Sequence, residues 1–167
     1  TGEVMGWDRS FPRAFLKAQL GAGAHLPEAG RAFVSVKDSD KGPLILEATR
    51  LMHELGFSVV ATGGTCDFLQ ETGIPATRIN KVYEGRPHIV DLMTDDGVQI
   101  VFNTTEGAQS IADSREIRAL ALAGRIPYYT TAAGARAAAL AVREGRAGDL
   151  AVRSLQGAPP EPVRTPA

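Results

Sequence analysis

Between residues 32 and 145 the chain switches five times from a short apolar run to a stretch with helical spacing, and few architectures accept that rhythm. The runs AFVSV (32–36), FSVVAT (57–62), ATRIN (76–80), VQIVFN (98–103) and IPYYT (126–130) have strand length and composition. The segments between them are helical. GPLILEATRLMHEL (42–55) repeats Leu44, Ala48, Leu51, Met52 and Leu55 along one stripe and stops at Gly56. TCDFLQET (65–72) is a short helix closed by Gly73, and HIVDLMTDD (88–96) is another. REIRALALAG (115–124) follows Ser114 as its N-cap, and TAAGARAAALAVREG (131–145) is an alanine-rich helix. Strands that are each followed by a helix pair in parallel, because the crossover needs a dozen or more residues and covers a face of the sheet. The expected fold is therefore α/β, an open and mostly parallel five-stranded sheet with helices on both faces. DLAVRSL (149–155) reads as one further edge strand.

Two flanks frame this core. FPRAFLKAQL (11–20) is an amphipathic helix with Ser10 at its cap and Pro12 in its first turn, followed by the Gly/Pro-rich linker GAGAHLPEAG (21–30). One helix and a linker bury little by themselves, so residues 1–28 are expected to end a preceding domain or to pack on the next one. The main domain is expected over 29–156, and the proline-rich GAPPEPVRTPA (157–167) is expected to be disordered.

Composition narrows the partners. The 167 residues suit one domain with its own core, and 18 Lys+Arg against 19 Asp+Glu leave a formal charge of −1. That balance argues against a nucleic-acid groove or an anionic membrane surface as the main partner, so any anion site must be local. Cys66 is the single cysteine, which excludes an internal disulfide and a cysteine-based zinc cage, and it reads as a small buried apolar residue. No apolar run approaches the ~20 residues that span a bilayer, and TGEVMGWDRS lacks the basic start of a secretory signal. A reducing, cytoplasmic setting is expected.

In parallel sheets, ligands sit beyond the carboxyl ends of the strands, so the residues that follow each strand are the useful ones. After the first comes KDSDKG, with Lys41 opening the next helix; after the second come Thr62, Gly63, Gly64 and Thr65. After the third come Asn80 and Lys81, after the fourth Asn103, Thr104 and Thr105, and after the fifth Tyr129, Thr130 and Thr131. Ammonium groups, hydroxyls and an amide thus converge on one rim, with Asp38 and Asp40 the nearest carboxylates. The glycine pair lets the backbone turn tightly and approach a guest, and Thr65 is expected to begin a helix whose unpaired N–H groups attract negative charge. A phosphate, with roughly −1.5 to −2 charges near pH 7, is the fitting guest, neutralised by Lys41 and Lys81. Gly-Gly as a plain turn with solvated lysines is the competing account.

Other signatures fail. The P-loop pattern is absent, GAGAHL never completes GxGxxG, DSDKG lacks the closing glutamate of a calcium loop, and no GxSxG elbow occurs. His25, His53 and His88 are scattered and no metal site is expected. A rim rich in Lys, Thr and Asn but poor in His and carboxylate lacks an obvious general base, which favours a binding or regulatory module over a catalyst.

GRAFVSVKDSDK (30–41), ATGGT (61–65), INKVYEGRPHIVDLM (79–93), VFNTTEG (101–107) and ADSREIRALAL (112–122) closely resemble the C-terminal domain of the carbamoyl-phosphate synthetase large subunit. The likeness spans about 30–155, and TGEVMGWDRSFPRAFLKAQLGAG resembles the end of the preceding ATP-grasp half. The resemblance implies a methylglyoxal synthase-like three-layer sandwich that performs no chemistry itself. It implies regulation of carbamoyl phosphate synthesis from bicarbonate, glutamine-derived ammonia and ATP, for pyrimidine and arginine biosynthesis. It further implies UMP and IMP as effectors of one nucleotide site and ornithine as a second effector. The nucleotide pattern falls on Lys41, Thr62, Thr65, Lys81, Asn103 and Thr105, beside Gly63, Gly64 and Thr104; Tyr128 and Thr130 fall on the ornithine pattern. ATP, with Mg or Mn, belongs to the ATP-grasp parts, which with the glutaminase small subunit are the implied protein partners. The stretch before ATGGT is one residue longer than the family pattern, and YYTT stands where the family has DTT. Methylglyoxal synthase acting on dihydroxyacetone phosphate is the enzyme alternative, but where its glycine-rich segment carries a catalytic aspartate this chain has GRPHI (85–89), with Asp91 close by as the carboxylate to check.

Overall fold

Alternation along each strand decides which face a side chain reaches, and it sorts this chain into two cores. The structure, a computed structural model, describes residues 3–105, 108–148, 150–152 and 156. Its helices are α1 (Phe11–Gly21), α2 (Pro43–Glu54), α3 (Gly63–Glu71), α4 (Ile89–Thr94), α5 (Ala108–Ala123) and α6 (Ala132–Arg146). Its strands are β1 (Arg31–Ser35), β2 (Ser58–Thr62), β3 (Thr77–Ile79), β4 (Ile100–Asn103) and β5 (Tyr128–Tyr129). They form one sheet in the order β3-β2-β1-β4-β5, and every pairing is parallel. The expected five-stranded α/β sheet is thus observed. The chain winds outward from β1 to β3 and then returns to add β4 on the other side of β1, so the order reverses between β1 and β4. Ser35 pairs with Asn103 there, at the carboxyl ends.

Ala32, Val34, Val59, Ala61, Ile100 and Phe102 point to one face, where they meet Ile45, Ala48 and Met52 of α2 and Ala135, Ala138, Ala139 and Val142 of α6. The alanines of α6 leave room for α2 to lie against it, so the two helices form one layer. Phe33 and Val101 point to the opposite face, against Ile89 and Met93 of α4 and Ile117 and Ala121 of α5. Burying each such large side chain contributes roughly 1.5–3 kcal/mol.

The N-terminal flank packs on this body. Leu16 is buried, α1 lies along α6, and Phe15 stands 6.3 Å from the Tyr129 ring. The Tyr129 hydroxyl donates to Gln19 Oε1 at 3.0 Å, and burial pushes its phenol pKa up. Lys17 Nζ donates to Asp8 Oδ2 (2.6 Å), the Trp7 carbonyl (3.2 Å) and the Ala151 carbonyl (2.7 Å), tying both flanks to α1.

Several local expectations change. The buried stripe of α2 is Ile45, Ala48, Thr49 and Met52, the i, i+3, i+4, i+7 face, while Leu44 lies outside it and is exposed. Ser10 makes no side-chain cap to α1. Thr62, not Thr65, stands at the N-cap of α3, which opens with Gly63. Ser114 does not cap α5 but lies inside it, buried, because its hydroxyl accepts from Asn103. Residues 150–152 form no strand; the rest of the edge strand expected over 149–155, and the tail 157–167, lie outside the described residues. No described helix is long and apolar enough to cross a membrane.

Candidate functional site

Four buried polar side chains gather at the carboxyl ends of β1, β2 and β4: Thr62, Thr65, Asn103 and Thr104. Buried hydroxyls and amides are costly unless bonded, and each of these has a partner. Thr62 Oγ1 and Ser35 Oγ are 2.9 Å apart. Thr65 Oγ1 accepts from the Val36 N–H at 3.1 Å and donates to the Val36 carbonyl at 3.3 Å. Thr104 Oγ1 accepts from the Lys37 N–H at 3.1 Å, and its own N–H donates to the Ser35 carbonyl at 3.0 Å. Asn103 Nδ2 donates to Ser114 Oγ (3.0 Å) and to Tyr128 Oη (2.6 Å). These bonds stitch the loop after β1 to the ends of its two neighbours.

Proton counting shows what remains for a guest. A hydroxyl carries one proton, so the Ser35–Thr62 pair uses one and keeps one. Thr104 accepts and keeps its proton, whereas Thr65 turns its proton inward to β1. Thr65 therefore acts on the loop after β1, while one proton of the Ser35–Thr62 pair, the Thr104 hydroxyl proton and the first N–H groups of α3 are not used by these bonds.

Residues 38–40 form a 3₁₀ turn, and Lys41 follows directly after it at this rim. A Cβ placed on Gly64 would stand 3.2 Å from Lys41 Nζ, so the ammonium rests over bare backbone in the first turn of α3. Lys41 Nζ also pairs with Asp38 Oδ1 at 2.7 Å. That hydrogen bond, with the Lys41 charge behind it and a weaker pull from Lys81, holds the Asp38 carboxyl below its ordinary pKa. Lys81 Nζ stands 5.7 Å from the centre of the Tyr83 ring, and its charge adds only the minor pull on Asp38.

The segment 80–89 holds Lys81 by closing on itself. Asn80 Nδ2 donates to the Gly85 carbonyl (3.1 Å), the Lys81 N–H to Glu84 Oε2 (2.8 Å) and the Ile89 N–H to the Asn80 carbonyl (3.2 Å). The Arg86–Pro87 peptide is cis. His88 is buried as the N-cap of α4, its Nδ1 accepting from the Asp91 N–H at 3.4 Å. Among the described residues no cluster of His, Cys, Asp and Glu could hold a metal ion.

Asp91, the carboxylate weighed as a base, accepts from the His88 N–H at 3.0 Å and lies 3.4 Å from Arg86 Nη1. It lines a groove with Arg86, Pro87, Val90, Thr94 and Asp95, none of them residues of the rim. Cys66 is buried and donates to the Ala76 carbonyl at 3.6 Å; burial pushes its thiol pKa up, which makes it a packing residue.

At the β5 end, Tyr128 is half-buried and accepts from Asn103, while the Arg118 guanidinium stands 5.6 Å from its ring. Thr130 is exposed, and Thr131 caps α6 by accepting from the Gly134 N–H at 3.0 Å. Thr105 is half-buried at the rim's edge. Two residues escaped the reading by strand ends. Ser35 is the last residue of β1 and bonds Thr62. Arg78 lies on β3, where pairing with Ala61 brings Nη1 to 3.2 Å from the place a Gly63 Cβ would occupy.

The comparisons with known proteins agree with one another. Residues 44–130 match the model of the MGS-like domain. The chain is 54% identical over 156 residues to the carbamoyl phosphate synthase large chain of Rhizobium meliloti (strain 1021), covering 93% of this chain and 13% of that one. It is 54% identical to the large chain of Mesorhizobium japonicum over the same share of each. The Pseudomonas aeruginosa large chain is 50% identical over 156 residues, with 93% of this chain and 14% of that one covered. The chain therefore spans 13–14% of the length of these relatives.

Proposed function

This chain belongs to the MGS-like domain family, and from that premise we propose that it is the effector-binding regulatory domain of a carbamoyl phosphate synthase large chain. It binds a nucleoside monophosphate, UMP or IMP, by its phosphoryl group and controls carbamoyl phosphate synthesis carried out elsewhere in the whole enzyme. The observation that carries the reading is Lys41 Nζ resting over the exposed Gly64 backbone at the start of α3. A cation, unpaired helix N–H groups and hydroxyls beside bare backbone suit a dianion. Lys41, Lys81, the Gly63–Gly64 backbone, Ser35 or Thr62, and Thr104 hold the phosphoryl group. Asn103 and Thr105 border it, and Thr65 orders the loop that carries Lys41.

Tyr128 and Thr130 contribute to an ornithine site whose carboxylates lie in other parts of the large chain. The Asn103–Tyr128 hydrogen bond then joins the two effector sites through one buried amide. The remaining ATP-grasp parts and a glutaminase subunit are the partners, in the cytoplasm, and ATP and divalent metal act there.

Titration calorimetry tests the reading: UMP or IMP binds at least tenfold tighter than uridine or inosine. Equal affinities for nucleotide and nucleoside would overturn it. Methylglyoxal synthesis is disfavoured because Asp91 is engaged by His88 and Arg86 outside the rim. Phosphate release from dihydroxyacetone phosphate above background would reverse that choice.

A further inference from the structure

Two cations flank the glycine pair, and each is held by a carboxylate of the chain itself. Lys41 Nζ lies at Gly64 and pairs with Asp38, whose side chain is 95% exposed. Arg78 Nη1 lies at Gly63, and its Nη2 pairs with Asp67 Oδ1, both side chains being about half exposed. The two pairs come from unrelated segments. Asp38 and Lys41 belong to the turn after β1, whereas Asp67 is on α3 and Arg78 on β3. Neither carboxylate is locked in a buried network, and exposed pairs of this kind are weak, typically 0.2–1 kcal/mol. A phosphoryl dianion offers the same cations more charge and three acceptor oxygens.

We propose that Arg78 is a further contact residue for the anion, and that Asp38 and Asp67 are stand-in anions that hold Lys41 and Arg78 in place until the ligand's phosphoryl group displaces them. The inference rests on the nucleotide-binding reading above and deepens it. The carboxylates keep two cations extended beside bare backbone, and they lower the affinity because they compete with the phosphoryl group for the same cations. Arginine suits the second position, since its planar fork keeps one nitrogen on Asp67 while another faces Gly63, and it can transfer both to phosphate.

The test is a double-mutant cycle on the 167-residue chain with UMP as the probe, read by calorimetry, with thermal unfolding to confirm that each variant folds. Arg78→Met weakens UMP binding about tenfold. Asp67→Asn tightens it about two- to fivefold, and so does Asp38→Asn. Asp67→Asn in the Arg78→Met background gives no gain, because Asp67 acts through Arg78. Glu71→Gln removes the same charge from the far end of α3 and leaves the affinity unchanged. UMP binding by Arg78→Met at wild-type strength, or a gain from Asp67→Asn that persists without Arg78, overturns the inference while leaving the nucleotide reading intact. Failure of the wild-type chain and every variant to bind UMP overturns both.

Discussion

The two ends of the sheet are built from similar residue types and use them in opposite ways. At the amino ends of the strands, polar groups meet their partners close to solvent. Gln99 Oε1 accepts from the Arg31 N–H at 2.6 Å, Gln99 Nε2 donates to the Asp96 carbonyl at 2.7 Å, and Arg146 caps the Leu55 carbonyl. At the carboxyl ends, Thr62, Thr65, Asn103 and Thr104 are buried and bonded chiefly across strands and loops. Apolar side chains would fill the same space with less desolvation, so burial of four polar residues on one rim is a poor choice for stability alone. The contrast assigns the amino end to closing turns and the carboxyl end to holding a polar surface in a fixed shape.

The comparison breaks most easily at Asn103. Asn103→Ala removes a buried amide that joins β4 to α5 and β5, and should lower unfolding stability by about 2–3 kcal/mol in urea titrations. Gln99→Ala at the other end should cost under about 1 kcal/mol and leave UMP binding unchanged. Equal losses at the two ends would remove the distinction. Next in size is Lys81→Ala, which should reduce UMP affinity at least tenfold, about 1.5 kcal/mol, at an unchanged melting temperature. A fall in melting temperature without a fall in affinity would make Lys81 a structural residue. Gly64→Ala gives the smallest effects and the sharpest contrast in sign. The added methyl meets only the end of the Lys41 side chain, so stability should hold or rise by roughly 0.5–1 kcal/mol while UMP binding weakens severalfold.

Much of this was legible in the order of residues. Apolar runs and helical stripes alternate so regularly that sheet composition and helix coverage follow, and the rule about carboxyl ends points to Lys41, Thr62 and Asn103, which the structure places on one rim. Arg78 was hidden because it sits on an edge strand and comes to Gly63 through the register Ala61↔Arg78, a pairing that no local pattern announces. The inward turn of the Thr65 hydroxyl was hidden for a related reason. Its partner, Val36, lies 29 residues earlier, on the far side of a helix. Helix starts were misread where a polar residue offered a plausible cap. Ser114 has the right chemistry for an N-cap, but a buried Asn103 amide claims its hydroxyl and the helix begins at Ala108. Thr62 likewise spends its hydroxyl on Ser35, and α3 opens without a side-chain cap, which leaves its first N–H groups for a guest.

A crystal structure of the chain with UMP bound is the most direct test that one phosphoryl group is gripped between Lys41, Lys81 and the first turn of α3. The account predicts phosphate oxygens within hydrogen-bonding distance of Lys41 Nζ and of the N–H groups that follow Gly63. Phosphate seated instead in the Arg86–Asp91 groove, with the Lys41–Asp38 pair undisturbed, would contradict it.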